Sequence, residues 1–328
     1  MRIFLTGASG FIGGALIRGL AAEGHAISAL VRRPAPAPPL RGCRLVQGDL
    51  AAEGGLEAAR DALAEADLVA HVAAQRKDWG MSTDALFRVN VASGPALLSM
   101  ATHAKRFLFV SSVGVHGHST GRSIDETSPM LPYDRYGQSK VDAERALRDA
   151  AATLGVPLTI VRPGIVYGPG DTYGMVTKMA RLIARRRFML VGDGMNRVHL
   201  LHVEDLATAL ARALTAPGAE DDTFLLAGTE AVTMTQLAGL VAREVGRRPP
   251  PHVPVGWVRT AADVMERIYR ILGATHEPFV THAKATLLTC DYLYDTTRAR
   301  ERLGFAPRTG IEAGIRQTVD WCRRQELL

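Results

Sequence analysis

The stretch RIFLTGASGFIG, residues Arg2–Gly13, decides the fold. A short, largely apolar run leads into three glycines with the spacing GxxGxxG, and residues with helical periodicity follow. The first glycine permits a tight turn, the second lets a phosphate approach the backbone, and the third lets the helix pack on the strand. The N–H groups and positive end of that helix attract a diphosphate. We therefore predict a dinucleotide site at Gly7, Gly10, Phe11, Ile12 and Gly13.

Apolar runs and helix-period stretches alternate through the first 230 residues. The predicted strands are Arg2–Thr6, Ala26–Val31, Cys43–Val46, Asp67–Val72, Arg106–Ser111, Val156–Arg162 and Thr223–Ala227. The helix-period stretches among them are Phe11–Glu23, Leu56–Glu65, Thr83–His103 and Gly137–Leu154. Strands that are apolar on both faces and separated by helices indicate a parallel sheet covered on both sides. The pattern predicts an α/β fold with a Rossmann-type, doubly wound parallel sheet.

The regular alternation of strands and helices ends near residue 174, and the remaining chain is mostly helical. Predicted helices there are Val176–Arg187, Glu204–Thr215, Thr233–Val245 and Val255–Leu272, followed by short helices to the end. We expect a nucleotide-binding domain of residues 1–173 and 203–228. A smaller, mostly helical substrate-binding domain is expected at 174–202 and 229–328. The proline-rich stretch Pro34–Pro39 is expected to be a surface loop.

Composition excludes several classes of protein. No apolar run approaches the ~20 residues of a membrane span, and the N-terminus does not have the pattern of a secretory signal. Cys43, Cys290 and Cys322 are far apart and form no CxxC pair, which argues against disulfides and a structural zinc site. The net charge of +6 is scattered and aromatic residues make up only 6%, so no nucleic-acid partner is expected. The exception is Arg185–Arg187, interpreted as a solvated helix end; the composition predicts a cytoplasmic protein.

The residues after the second predicted strand bear on the choice of cofactor. An acidic side chain about 20 residues beyond the glycine turn would bind the ribose 2′-OH of NAD. Here Arg32 and Arg33 stand instead, and guanidinium groups pair bidentately with a 2′-phosphate. This favours NADP(H) over NAD(H); the less favoured interpretation is that both arginines are solvated loop residues. Asp49, followed by Leu50, could accept a hydrogen bond from the adenine amino group or cap the next helix.

Tyr136 and Lys140 are four residues apart and so share one face of a predicted helix. Ser111 and Ser112 end the preceding strand, where active-site groups of such sheets gather. A tyrosine near pKa 10 is a poor acid–base group at pH 7, but a neighbouring ammonium and an oxidised nicotinamide lower its pKa by ~1–3 units. The pattern predicts proton exchange between the tyrosine oxygen and an alcohol or ketone during hydride transfer.

These motifs resemble those of the extended short-chain dehydrogenases/reductases, a group that includes NAD-dependent epimerases and dehydratases. Further matching stretches are Arg162–Gly170 (RPGIVYGPG), His202–Ala207 (HVEDLA) and Thr297–Phe305 (TRARERLGF), with Trp321 near the end. The resemblance covers nearly the whole chain. It implies an enzyme in which Ser112 orients the substrate, Tyr136 is the acid–base group, and Lys140 lowers the pKa of Tyr136 and binds the ribose.

The same resemblance implies roles for further residues. Asn90 matches an active-site asparagine of the family. Further cofactor contacts are expected from Ala73, Ala74, Ser111, Pro163 and Ile165. Tentative substrate contacts are Gln75, Trp79, Val113, His116, Gly164 and Arg197, and no metal ligand is expected.

Two branches of this family compete. Sugar-nucleotide enzymes usually have an asparagine where this chain has Ile165, and an arginine where it has Val198, next to Arg197. Loss of these diphosphate contacts indicates an apolar substrate. The loop Gln75–Gly80 and the segment Pro278–Lys284 resemble the 3β-hydroxysteroid and sterol-4-carboxylate 3-dehydrogenase branch.

The predicted activity is an NADP(H)-preferring interconversion of a secondary alcohol and a ketone on a 3β-hydroxysterol, a 4-carboxysterol or a 3-ketoacyl compound. The alternatives are a nucleotide-sugar epimerase or 4-ketoreductase, and an NADP-binding regulatory protein without catalysis. The apolar stripe of Val255–Leu272 could be core, a lid over substrate, or a peripheral membrane contact. The resemblance to the family implies a homodimer through the helices at Thr83–His103 and Gly137–Leu154.

Overall fold

The computed structural model describes residues 1–33, 40–76, 82–119, 121–272, 274, 278 and 281–328. The predicted loop Pro34–Pro39 and the tentative substrate residue Trp79 lie outside these residues, as does part of Pro278–Lys284.

The secondary structure follows the predicted order. In chain order the strands are β1 Arg2–Thr6, β2 Ala26–Val31, β3 Arg44–Gln47, β4 Leu68–His71, β5 Arg106–Val110, β6 Leu158–Pro163, β7 Ile165–Tyr167, β8 Leu190–Val191, β9 Arg197–His202, β10 Thr223–Leu226, β11 Ala231–Thr233 and β12 His252–Val253. The helices are α1 Phe11–Ala22, α2 Arg60–Ala64, α3 Thr83–Phe87, α4 Ser93–Met100, α5 Arg135–Leu154, α6 Met175–Ala184, α7 Val203–Thr215, α8 Met234–Val245, α9 Val255–Ile271, α10 His282–Thr289, α11 Thr297–Leu303 and α12 Ile311–Arg324. Short 3-10 turns lie at Glu57–Ala59 and Val113–Val115, and a π-helical turn at Arg88–Ala92 joins α3 to α4.

Seven strands form one parallel sheet in the order β10-β6-β5-β4-β1-β2-β3. All seven strands predicted for this sheet are present, so the Rossmann-type prediction is confirmed. The order reverses at β1, because β2 and β4 are its two neighbours. Ligands of such sheets bind outside the carboxyl ends of the strands at this reversal. The glycine turn after β1 therefore opens into the expected crevice.

Helices cover both faces of the sheet, as the apolar strands require. On one face α1 and α7 pack through Leu16 and Leu210 onto Leu5 and Leu108. On the other, α4 and α5 pack onto the phenylalanines of β1 and β5. The contact between these two helices is close, because a Cβ on Gly94 would lie 3.0 Å from the Leu147 side chain. This close packing of α4 on α5 fixes the position of α5, which contains Tyr136 and Lys140.

The smaller part of the molecule contains strands that the sequence analysis missed. α6, α8 and α12 share a core around Val176, Leu237 and Val319, as expected of a mostly helical unit. A three-stranded sheet, β11-β9-β7, and a two-stranded sheet, β12-β8, accompany these helices. Four of these five strands have two or three residues. Such lengths show no alternation that sequence periodicity could detect.

Candidate active site

The glycine turn is closed around the backbone and leaves no room for side chains. Gly7 has φ +74°, and a Cβ there would lie 2.7 Å from the amide nitrogen of Ala73. A Cβ on Gly13 would lie 2.2 Å from the Gly7 carbonyl oxygen. Gly10 precedes α1, and no side chain caps this helix. The first-turn N–H groups are therefore left for an anion, which fits the diphosphate predicted from the sequence.

A chain of hydrogen bonds links this turn to β4 and α4. The Ala73 N–H donates to Thr6 Oγ1 (3.2 Å), and Thr6 Oγ1 lies 2.7 Å from His71 Nδ1. His71 Nε2 lies 3.2 Å from Ser93 Oγ, whose hydroxyl donates to the Val89 carbonyl. Thr6 Oγ1 accepts from the Ala73 N–H, so its own hydroxyl proton is donated to Nδ1. Ser93 donates its proton to Val89, so its oxygen accepts from the ring. Nε2 therefore carries the ring proton. Burial, with the charge of Lys140, lowers the pKa of His71 to about 3, so the ring is neutral.

Asn90 lies on the π-helical turn and holds the segment after β4. Its Oδ1 accepts from the Gln75 N–H (2.7 Å), and its Nδ2 donates to the Gln75 carbonyl (3.0 Å). The same Nδ2 donates to Ser139 Oγ (2.9 Å), and the Ser139 hydroxyl donates to the Tyr136 carbonyl (2.7 Å). Asn90 thus joins the strand end beside the glycine turn to the helix of Tyr136.

Ser112 and Tyr136 meet at the carboxyl edge of the sheet, as predicted. Ser112 follows β5, and its hydroxyl accepts from the Gly114 N–H (3.1 Å). Asp134 caps α5 through the Gly137 N–H (2.7 Å), which places Tyr136 in the first turn. Ser112 lies near enough to Tyr136 to act on its pKa. Burial raises the pKa of Tyr136, and the charge of Arg76 and the Ser112 hydroxyl oppose this only in part.

Lys140 lies one turn after Tyr136 on α5, and its ammonium group contacts β5. Its effect on the pKa of Tyr136 stays a prediction. Its Nζ donates to the Val110 carbonyl (2.8 Å) and lies 4.5 Å from the centre of the Phe109 ring. The side chain is fully buried, and burial lowers its pKa to about 7 despite the nearby carboxylate of Glu144. Lys140 therefore exchanges a proton easily near neutral pH.

A buried ion pair lies one helical turn further along α5. Glu144, which is 0% exposed, accepts from Arg162 Nε (2.9 Å) and Nη2 (2.6 Å), and from the Ser111 hydroxyl (2.5 Å). Burial alone would raise the pKa of Glu144, but Arg162, Ser111 and Arg148 together hold it below its ordinary value. The Ser111 hydroxyl thus belongs to this network, and the cofactor contact predicted for Ser111 stays a prediction.

His116 belongs to the same network. Arg162 Nη1 donates to His116 Nε2 (3.0 Å), so the ring proton is on Nδ1, which donates to the Pro129 carbonyl (3.1 Å). The residue is 4% exposed, and burial together with Arg162 lowers its pKa. Both ring nitrogens are engaged, so a substrate contact of His116, which stays a prediction, would involve the ring carbons.

The residues expected to select the cofactor lie at the ends of β2 and β3. Arg32 and Arg33 are exposed just after β2, and within the described ranges neither forms an ion pair. Asp49 Oδ1 accepts from the Ala51 N–H (3.0 Å). The next helical turn begins only at Glu57, so the interpretation of Asp49 as a helix cap is wrong. Leu50 is half-buried against the core under α2.

The other predicted contacts lie at the end of β6, on β7 and β9, and in the turn after Ser112. Pro163 ends β6, and a Cβ on Gly164 would lie 3.6 Å from Tyr294. Ile165 begins β7 and pairs with Leu200, and Val113 is buried in the 3-10 turn after Ser112. Arg197 is bound to Asp291 through its N–H (2.6 Å) and its guanidinium (3.4 Å), so this residue serves a structural link.

Two features of this site were missed in the sequence. His71 and the pair Glu144–Arg162 are buried polar groups whose partners are distant along the chain. Neither has a spacing that a motif search would find. Glu144 follows Lys140 by four residues, which is the only local signal for its position on the inner face of α5.

Most of the chain matches one known protein family. Residues 3–227 match the pattern described as the NAD dependent epimerase/dehydratase family. The chain belongs to this family. Its similar proteins include reductases, dehydrogenases, dehydratases and an epimerase, which confirms the predicted class of enzyme.

Similar proteins span the whole chain. A 2-alkyl-3-oxoalkanoate reductase of Stenotrophomonas maltophilia is 29% identical, over 97% of this chain and 98% of that protein. A 3beta-hydroxysteroid-dehydrogenase/decarboxylase of Arabidopsis thaliana is 27% identical, over 78% of this chain and 48% of that protein. The crystal structure of gox2253 superposes with TM-score 0.82 at 25% identity, covering 100% of this chain and 99% of that one. MoeE5 in complex with UDP-glucose and NAD has TM-score 0.78 at 24% identity, covering 99% and 100% of the two chains.

The buried ion pair of Glu144 and Arg162 is expected to raise the free energy of unfolding. Glu144→Gln keeps the shape but leaves the Arg162 charge buried without its counterion, which costs about 3–5 kcal/mol of unfolding free energy. The matched control is Glu65→Gln, which removes an exposed pair with Arg44 (3.5 Å) and costs at most about 1 kcal/mol. Urea unfolding of both variants measures the difference.

The effect depends on pH with a defined sign. The folded-state pKa of Glu144 is lowered, so its contribution is present above the unfolded value and is lost as pH falls through the folded one. Equal midpoint shifts for the two variants at pH 7 would contradict the assignment.

Proposed function

We propose that the protein is an NADP(H)-preferring reductase of a 3-oxo group on an apolar, long-chain acid or acyl compound. The observation that supports it most directly is the proximity of Ser112 and Tyr136 where β5 ends and α5 begins, at the carboxyl edge of the sheet that carries the glycine turn. Residues 1–173 and 203–228 would hold the cofactor. Residues 174–202 and 229–328 would hold most of the substrate.

Two observations favour an apolar substrate over a nucleotide sugar. Ile165 places an apolar side chain where a diphosphate ligand would be needed, and it packs against the core of the smaller unit. Arg197, the residue that could replace that ligand, is bound to Asp291. The relatives named as 2-alkyl-3-oxoalkanoate reductases, which match almost the full chain, favour the 3-ketoacyl class over the sterols.

The chain's residues would perform the reaction as follows. The NADP(H) nicotinamide, when bound, supplies hydride to the carbonyl carbon or takes it from the alcohol. Ser112 holds the substrate oxygen, and Tyr136 Oη donates a proton to it as the ketone becomes an alcohol. The raised pKa of Tyr136 keeps this proton in place at neutral pH. Lys140, with a pKa of about 7, is suited to return a proton to the site afterwards.

Arg76 is suited to bind a substrate carboxylate. It follows Gln75, whose backbone is clamped by Asn90, and its charge acts on Tyr136. The carboxylate of a 3-oxo acid is two bonds from the carbonyl carbon, so one site can bind both groups. No ion pair of Arg76 occurs among the residues that the structure describes.

Tyr136→Phe tests the catalytic role. Loss of the acid–base group lowers kcat by about 10²–10⁴-fold, while binding of NADPH, followed by fluorescence titration, stays unchanged. A purely regulatory NADP-binding protein would show no turnover to lose.

In the wild-type protein, the rate of alcohol oxidation should rise with pH beyond 8, because the raised pKa of Tyr136 leaves little of its basic form at neutral pH.

Arg32→Gln with Arg33→Gln tests the cofactor preference. Loss of charged hydrogen bonds to a 2′-phosphate should raise the Kd of NADPH by roughly 10–100-fold. The Kd of NADH should stay within about twofold because NADH lacks that phosphate. Equal changes for the two cofactors would mean that these arginines are solvated loop residues.

Arg76→Gln tests the substrate class. The KM of a 3-oxo acid should rise roughly tenfold or more, since a charge-assisted bond is lost. The corresponding methyl ketone, which has no carboxylate, serves as the control substrate and should keep its KM. Turnover of UDP- or dTDP-sugars in place of both would support the nucleotide-sugar alternative.

A further inference from the structure

Helix α9 presents an apolar face that nothing in the described chain covers. Of its 17 residues only Ala262 is buried. Trp257 is 74% exposed, Ile271 77% and the following Leu272 73%, with Val264 and Ile268 about half exposed. The outer stripe is therefore not part of the core, which was one of the three interpretations open from the sequence.

The charges of α9 are sorted between its two sides. Trp257, Val264, Ile268 and Ile271 lie within about 60° of one another at 100° per residue. Both acidic side chains face α10: Asp263 Oδ1 lies 2.7 Å from His282 Nε2, and Glu266 Oε1 accepts from the His282 N–H (2.8 Å). The apolar stripe is thus free of carboxylates.

A cluster of arginines lies close to this helix. Five exposed arginines follow two helices. They are Arg185, Arg186 and Arg187 after α6, and Arg247 and Arg248 after α8. Arg186, Arg247 and Arg248 line one groove with Phe188, and Arg247 Nε donates to the Ala184 carbonyl (3.2 Å). Within the described residues none of the five forms an ion pair, in contrast to the nearby Arg243, Arg316 and Arg323.

The two-stranded sheet connects the arginine cluster to the start of α9. Both arginine segments precede this sheet at the same end, since β8 and β12 are parallel. α9 begins at Val255, two residues after the other end of β12 and seven residues after Arg248. Val255 packs there on the loop after β8, because a Cβ on Gly192 would lie 2.9 Å from it. Met189 and Met195, on either side of β8, are more than half exposed.

We propose that this surface, consisting of the outer stripe of α9 and the five arginines, binds the face of an anionic phospholipid bilayer. An amphipathic helix with apolar side chains on one face lies in the headgroup region, and each nearby arginine adds attraction to anionic lipid. A second copy of the chain fits less well, because a twofold contact would bring two unpaired arginine clusters together. No described helix is long and apolar enough to cross a membrane, so the contact is peripheral.

The surface would serve an enzyme of apolar substrates. Compounds with long chains partition into bilayers, where their concentration greatly exceeds that in water. Attachment through α9 and the arginines would bring the crevice to that store of substrate. The attachment does not depend on the reaction, so it can be tested without turnover.

The test is co-sedimentation of the full chain with phosphatidylcholine vesicles and with vesicles containing 30% phosphatidylglycerol. We expect binding to the anionic vesicles only, weaker at 500 mM than at 50 mM salt, with a blue shift of tryptophan emission. Trp257→Ser with Ile271→Ser should remove the shift and weaken binding at least tenfold. Arg186→Gln with Arg248→Gln should weaken binding by roughly 30-fold, since two arginines are lost.

The matched control is Arg44→Gln with Arg60→Gln. These two exposed arginines lie on β3 and α2, and the variant should bind vesicles like the wild type. All variants should reduce a short, water-soluble 3-oxo acid at the wild-type rate, so failure of the proposed reaction and failure of this proposal are separate results. Absence of binding to anionic vesicles at 50 mM salt would overturn the proposal. So would a dimer in gel filtration that the Trp257 and Ile271 changes convert to monomer.

Discussion

The buried pairing of Glu144 with Arg162 is the interaction on which the rest of the site depends. It joins α5 to β6, and through Ser111 and His116 it also holds the end of β5 and the loop after it. Ser112 and Tyr136 are direct neighbours of these tied segments. Two buried charges are expensive to desolvate unless their geometry is good and their remaining hydrogen bonds are satisfied. Here four further partners satisfy them, namely Ser111, Arg148, His116 and the Glu126 carbonyl, so the pair orders the segments that meet at the reacting atoms.

A second set of contacts fixes the cofactor side relative to the substrate side. The chain from Ala73 through Thr6, His71 and Ser93 to Val89 ends next to Asn90, which holds Gln75 and Ser139. The glycine turn and the first turn of α5 therefore belong to one continuous network. Its members are uncharged at neutral pH, which avoids placing further charge near Lys140.

The sequence was informative where local rules decide structure. The strands of the large sheet, the glycine turn, and the meeting of Ser112 with Tyr136 follow from periodicity, backbone sterics and the edge at which parallel strands end. The contacts that the sequence did not reveal join distant parts of the chain. Arg162 donates to His116, and Ser111 donates to Glu144; no spacing in the sequence marks either contact. β8 and β12 are stable only because each is the other's partner, so neither two-residue strand was visible alone.

Helix α5 sets a limit on how this chain can vary. Tyr136, Lys140 and Glu144 are on successive turns of one inner face, so their order is measured out by the pitch of the helix. Inserting or deleting one residue between them would rotate one group by about 100° from the others and separate the acid–base chemistry from its support. Substitutions at outward positions such as Arg145 leave that spacing intact. Evolution of this enzyme would therefore change the length of its loops but keep the length of this helix segment constant.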